Sequence, residues 1–208
     1  MRIAECEFSI FDVETTGLFP YHGDKICEIA AIRVDSYCKK ARKFSSLVDP
    51  KRPISHGAFS INRITGDMLA GKPTIDDILP FFLKFTEGSV LVAYNAGFDL
   101  GFLENAMGEN KDILKKYFVV DALALARRFF PKAGRYSLGI LARHLGIEAP
   151  SQHRALADAS MTWKVFEKEL DIITAEGIED VKDIAYKRAS MDDVISEQKR
   201  LTKKGGAV

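Results

Sequence analysis

Four acids and a histidine have the types and spacings that could do chemistry in this chain. Asp12 and Glu14 stand two apart in EFSIFDVETTGL, at the end of a segment whose alternation and β-formers predict a strand. Side chains two apart on a strand share a face, so both carboxylates point the same way. Two like charges side by side repel, and they are relieved by a proton or by a cation. Paired carboxylates are hard oxygen ligands, suited to Mg²⁺ or Mn²⁺. Taken alone, such a pair is more often the solvated end of a strand before a turn. Asp99, in YNAGFD, follows a second short strand and falls at the start of a helix, where the dipole favours an acid. It is either an ordinary first-turn acid or a third ligand from the next strand of the same sheet. Carboxyl ends of sheet strands are where α/β folds place their sites. His153 and Asp158 share QHRALADA. Five residues on an ideal helix rotate by about 140°, so the two converge only if His153 lies in the loop entering the helix. Asp158 sits between Leu156 and Ala159, at the edge of an apolar stripe, where a carboxylate asks for a partner.

The rest of the pattern predicts the elements that hold these residues. Residues 7–14, 26–35 and 41–48 read as three strands of an antiparallel meander. Residues 49–73, with three prolines, read as loop with a short helix near 55–60. Thr74 is an N-cap for a helix running to Gly88. Residues 89–94 and 117–120 read as short buried strands, and 97–107, 121–130 and 137–145 as helices. Residues 154–175 predict a long helix with Leu156, Ala159, Trp163, Phe166 and Leu170 on one stripe. The expected fold class is α/β: a mixed central sheet with an antiparallel meander, flanked by helices on both faces. The expected division is a domain over 1–175 and a polar extension over 176–208, helical to about Gln198 and then frayed.

Composition bounds the function from outside. The chain has 208 residues, 47% hydrophobic and 28% charged, which excludes a mostly disordered, collagen-like or coiled-coil protein. The formal net charge is +1, so nucleic acid is not bound by bulk positive field, and phosphate handling needs local devices. Cys6, Cys27 and Cys38 form no C-x-x-C pair and read as reduced thiols of a cytoplasmic protein. No stretch approaches the roughly 18 apolar residues of a membrane span, so no membrane partner is expected.

In order, FDVETTGL, NAGFD and HRALAD resemble the motifs of the DEDD superfamily of 3′→5′ exonucleases, in the branch whose third motif is H-x-A-x-x-D. Within that branch the chain looks most like the proofreading exonucleases of bacterial DNA polymerase III, of the epsilon or PolC type. INRITGDML, VVDALALARRFFP and YSLGILARHLGI fit as well, so the resemblance runs from about residue 7 to about 170. It implies a ribonuclease H-like, DnaQ-like fold. It also implies metal-dependent hydrolysis at the 3′ end of single-stranded DNA, releasing nucleoside monophosphates, as a proofreader with a DNA polymerase catalytic subunit.

Residue by residue, the resemblance makes Asp12, Glu14, Asp99 and Asp158 the acids serving two divalent ions, Mg²⁺ or Mn²⁺, and His153 the general base. Two metals about 3.5–4 Å apart serve both the attacking and the leaving oxygen of an in-line displacement. A histidine of unperturbed pKa ≈ 6.5 takes the water's proton at cellular pH. Thr15, Thr16 and Gly17 form a turn whose backbone N–H groups can face the terminal nucleotide, with Gly17 allowing close approach. Leu18 and Phe98 can pack against terminal bases, Phe98 reading equally as plain core packing, and Asn95 fixes the substrate or the Asp99 loop. Arg127, Arg128 and Lys132 are more simply a solvated helix face. Two departures from the family pattern touch substrate contacts: Tyr94 stands where members often have His, and Asn62-Arg63-Ile64-Thr65 where many have His-Gly-Ile-Thr. The rival readings are an exoribonuclease of the RNase T-like kind and a catalytically silent nucleic-acid-binding module.

Overall fold

The computed structural model describes residues 1–35, 41–148 and 154–187. Cys38, His153 and the stretch 188–208 lie outside the described residues.

Five strands form one sheet in the order β3-β2-β1-β4-β5: β1 Glu7–Thr15, β2 Ile26–Asp35, β3 Ala41–Leu47, β4 Val90–Ala93 and β5 Val119–Asp121. The first three are antiparallel neighbours, while β4 runs parallel to β1 and β5 parallel to β4. The expected mixed sheet with a leading meander is therefore the observed one. Because β1, β4 and β5 are parallel, their carboxyl ends lie along one edge. Asp12 and Glu14 sit at that edge on β1, and Asp99 lies just beyond it after β4.

Alternation along β1 and β2 divides the core in two. Phe11, Val13, Ile29 and Ala31 face one side, where they pack with Leu79 and Phe82 of α3 (Ile75–Thr86) and Leu100, Phe102 and Leu103 of α4 (Ala96–Met107). Phe8, Ile10, Ile32 and Val34 face the other, against Leu125 of α5 (Ala122–Phe129) and Ala159, Phe166 and Ile173 of the long helix. The short helices α1 (His56–Asn62) and α2 (Gly66–Leu69) come before α3. After α5 come α6 (Leu138–His144) and the long helix, α7 (Ala155–Ala175). Asp12, Glu14 and Glu28 share the parity of Phe8 and Ile32, so they face α7. Phe166 is fully buried and meets Phe8 edge to face at 5.2 Å. Burying one such side chain stabilises by roughly 1.5–3 kcal/mol, which holds α7 to the sheet.

Three expectations need correction. The strand read at 117–120 is Val119–Asp121, because a 3-10 stretch over Gly108–Lys116 delays it; Tyr117 packs outside the ladder, while Phe118 packs and its carbonyl accepts the Leu91 N–H of β4 at 2.9 Å. The loop 49–73 contains α2, capped by the Thr65 hydroxyl on the Met68 N–H, besides the expected short helix. Between 176 and 187 the expected helix is a single 3-10 turn, Val181–Asp183, because Gly177 at φ 71° ends α7. That segment is seated on the domain: Val181 and Ile184 are buried, and the Tyr186 N–H donates to the Val119 carbonyl at 2.7 Å.

Candidate active site

Asp12, Glu14 and Asp158 converge. One carboxylate oxygen of each lies within 4.8 Å of the other two. β1 supplies the first two by its two-residue period, and α7 supplies the third from its first turn, where the Asp158 N–H donates to the Arg154 carbonyl at 3.0 Å. Burial lifts the Asp12 carboxyl well above its ordinary range, and the charges of Asp99, Asp158, Glu14 and Glu28 lift it further. Glu14 is pushed up to about 7, first by burial and then by Asp158 and Glu28. Three half-buried carboxylates this close are unfavourable when ionised without a cation among them.

Asp99 stands beside that trio rather than in it. It is buried, and its Oδ1 accepts the N–H of Val13, the residue between Asp12 and Glu14, at 3.1 Å. Burial raises its pKa well above the ordinary value, against the pull of that backbone bond. Its charge is the largest that Asp12 feels. The entry to α4 is fixed by Asn95, whose φ of 68° is left-handed and whose N–H donates to Asp121 Oδ1 at 3.1 Å. The same Asp121 oxygen caps α5 through the N–H groups of Leu123 and Ala124. Asn95 thus acts on the Asp99 loop through its backbone.

Glu28 was not anticipated from the sequence. It lies opposite Glu14 in the β1–β2 register and is buried. Arg154 grips it with two bonds, Nε to Oε2 at 2.9 Å and Nη2 to Oε1 at 2.8 Å, and the Ala155 N–H adds a third to Oε2 at 3.1 Å. A charge inside the apolar run ICEIAAI is itself a signal, since a buried charge requires a partner. The partner is 126 residues away in sequence, and pattern alone does not reveal it.

Beside the acids lies a cavity of about 520 Å³, lined among others by Glu14, Thr15, Gly17, Leu18, Ile61 and Phe98. Leu18 is exposed on its rim, and Phe98 lines it while packing on Phe102 at 5.0 Å. Thr16 turns inward instead. It is fully buried, its N–H pairs with the Lys25 carbonyl, and its hydroxyl donates to Asp24 Oδ1. Its groups are spent on the turn, which corrects the expectation that its N–H faces a ligand. Gly17 lines the cavity and has a packing reason as well: a Cβ there would lie 2.3 Å from Asp24 Oδ2. Asp24 also accepts the Phe19 N–H and pairs with Arg52 at 3.2 Å, so it organises the turn. Of the departing residues, Asn62 is buried, donates to the Thr15 carbonyl, and its amide holds the rise in the Glu14 pKa down. The Tyr94 hydroxyl donates to the Tyr136 carbonyl at 2.5 Å, and the ring lines a second cavity with Asp12, Asp158 and Arg143.

The donor set is all carboxylate oxygen, partly dry and pushed toward protonation by mutual repulsion. That chemistry fits hard divalent cations and suits neither a soft metal nor a thiolate site. His153 lies outside the described residues, one peptide bond before Arg154. Among the described residues no helix is long and apolar enough to cross a membrane.

Comparison with known proteins agrees with this geometry. A family model described as Exonuclease matches residues 9–166. The "DNA polymerase III PolC-type" of Clostridium perfringens is 39% identical over 189 residues, covering 90% of this chain but 13% of that protein. The "DNA polymerase III subunit epsilon" of Treponema pallidum is 41% identical over 161 residues, covering 76% of this chain and 74% of that one. The chain thus spans about an eighth of the PolC-type relative and most of the epsilon relative. Among solved structures, "Exonuclease X in complex with 5' overhanging duplex DNA" is 32% identical with a TM-score of 0.66, covering 86% of this chain and 97% of the other.

Proposed function

The chain belongs to the exonuclease family, and from that premise we propose that it is a metal-dependent 3′→5′ exonuclease acting on single-stranded DNA ends. One observation carries the proposal: Asp12, Glu14 and Asp158 reach a common point from β1 and α7, with Asp99 beside them. Asp12, Glu14, Asp99 and Asp158 hold two divalent ions, Mg²⁺ or Mn²⁺. Such ions, when bound, lower the pKa of water and neutralise charge on the attacking and leaving oxygens. His153 takes the proton of the attacking water. Val13 keeps Asp99 turned toward the acids through its N–H. The 520 Å³ cavity beside Glu14 lies within the range of about 300–1,000 Å³ typical of small-ligand sites, and it receives the terminal nucleotide. Leu18 and Phe98 stack on its base, while Thr15 and Gly17 form the wall.

DNA is the favoured substrate because relatives 39% and 41% identical bear the names DNA polymerase III PolC-type and DNA polymerase III subunit epsilon. The same likeness supports a polymerase catalytic subunit as partner and a cytoplasmic location. On this reading the catalytic domain runs over 1–175, and residues 176–187 brace it. The test uses one sequence as 5′-labelled single-stranded DNA and as RNA, with Mg²⁺, Mn²⁺ or EDTA. The proposal expects a ladder shortened from the 3′ end, release of nucleoside monophosphates and no products in EDTA. A strong preference for RNA would replace the substrate assignment by the exoribonuclease one. Folded protein that binds Mn²⁺ yet digests neither strand would make it the silent module.

A further inference from the structure

We propose that Glu28 and Arg154 form a strap whose work is to set the position of Asp158, and hence the tightness of the divalent-ion site. The inference rests on the metal-site reading above and adds two positioning residues to it.

The long helix has no cap of its own. Its N-cap residue is Arg154, which makes no side-chain capping bond. Glu28, from the neighbouring strand β2, does the capping in its place by accepting the Ala155 N–H at 3.1 Å. The same carboxylate is gripped by both arms of the Arg154 fork. Three donors on one carboxylate fix the start of α7 in angle and height against the sheet, as a single contact cannot. The constraint reaches the site in one covalent and one hydrogen-bonded step: the Arg154 carbonyl accepts the Asp158 N–H, the first α-helical bond leading to that acid. At the other end of the strap, Glu28 is the register partner of Glu14. The strap therefore joins the two elements that must meet for Asp12, Glu14 and Asp158 to share an ion.

Charge alone does not account for the arrangement. A fifth acid beside four others raises the local repulsion, and Glu28 pushes both Asp12 and Glu14 toward protonation. Arg154 offsets that push on Glu14, so the pair adds little net field at the ligands while it adds a rigid link. The Glu28 side chain is 3% exposed and that of Arg154 44%, so the anchor is buried and the clamp closes over it from the surface. Groups that orient metal ligands typically change metal affinity by about 10–100-fold when removed.

Two variants separate position from charge. Arg154→Lys keeps the charge and loses the fork, since an ammonium cannot reproduce planar two-point binding. The double variant E28Q/R154M keeps the net charge and removes the ion pair. Mn²⁺ affinity of each is measured by calorimetry and by electron paramagnetic resonance, well below the melting midpoint, with the fold checked by circular dichroism. The strap predicts Mn²⁺ binding weaker by about 10–100-fold in both variants, with kcat restored at saturating Mn²⁺. Mn²⁺ affinity within twofold of wild type in both, whatever happens to the metal-free melting temperature, overturns it and leaves the pair a stabilising contact only. A wild type that binds Mn²⁺ but digests no nucleic acid removes the exonuclease reading and leaves the strap standing. A fully active enzyme whose variants bind Mn²⁺ normally removes the strap alone.

Discussion

Asp12→Asn should stabilise the metal-free protein while abolishing its chemistry. At 4.8 Å and an effective dielectric constant near 20, two unit charges repel by roughly 3.5 kcal/mol. Asp12 has two such neighbours in the trio, Glu14 and Asp158, with Asp99 and Glu28 adding to them. The sum exceeds what proton uptake costs. A carboxyl of ordinary pKa about 3.9, forced to stay neutral in the fold, loses at most about 4 kcal/mol at pH 7. Protonation therefore sets the penalty. The sign follows from the raised pKa. The folded state keeps a proton that the unfolded state releases, so wild-type stability falls as pH rises above about 4. The slope is at most about 1.4 kcal/mol per pH unit, and it levels off above the folded pKa. Asn carries no such dependence. Because Asp12 is only half-buried, the gain expected in EDTA at pH 7–8 is about 2–3 kcal/mol, or roughly 4–12 °C in melting temperature. It should vanish near pH 4. With Mn²⁺ at a hundred times its Kd the wild type recovers about 2.7 kcal/mol and the variant does not, so the gap closes or reverses. The assay is thermal unfolding across pH, with EDTA and with Mn²⁺. An Asn variant less stable than wild type in EDTA at every pH would refute the crowded-acid argument.

Glu169 on α7 is fully buried, and both its oxygens lack a hydrogen-bond partner among the described residues; burial, then Asp121, raises its pKa. Glu169→Met should therefore stabilise by about 1–3 kcal/mol, more at pH 8 than at pH 5, and a loss of stability in urea titrations at both pH values would contradict this. Gly17→Ala drives a methyl into the Asp24 carboxylate and should cost about 1–3 kcal/mol and raise KM, whereas Gly57→Ala, on the same cavity with nothing within 4 Å, should be neutral. Equal effects of the two substitutions on urea midpoint and KM would sink the assignment. Because Glu14 titrates near 7 without metal, Mn²⁺ affinity should fall as pH drops below that value, with proton release measurable by calorimetry in buffers of different ionisation enthalpy. Affinity unchanged between about pH 5.5 and 8 would contradict it.

The sequence made the elements around the acids legible for physical reasons that also explain what it hid. The predicted and observed bounds of β2 coincide because ICEIAAIRVD is a buried β run between turn signals. The period of two puts Asp12 and Glu14 on one face, and the edge of an apolar stripe marks Asp158, but only the resemblance of FDVETTGL, NAGFD and HRALAD to the family's motifs joins them into one site. The shift of β5 from 117–120 to Val119–Asp121 shows the limit of hydrophobicity as a guide: Tyr117 buries apolar surface while its N–H turns back to the Leu114 carbonyl rather than to the sheet. Glu28, Arg154 and Asp24 escaped for another reason. Each is a short-range oddity whose meaning is a long-range partner, and one-dimensional spacing carries no record of which residues meet. Thr16 and Gly17 lie in the predicted turn, but the Lys25 carbonyl takes the Thr16 N–H and the Asp24 carboxylate stands where a Gly17 Cβ would be, contacts that spacing does not reveal.

The most direct test of the central claim is an anomalous-difference map from crystals grown with Mn²⁺ and a nucleoside 5′-monophosphate. The account predicts two manganese peaks among Asp12, Glu14, Asp99 and Asp158, with the nucleotide in the cavity lined by Leu18 and Phe98. Manganese bound elsewhere, or those four carboxylates left without an ion at saturating Mn²⁺, would contradict it.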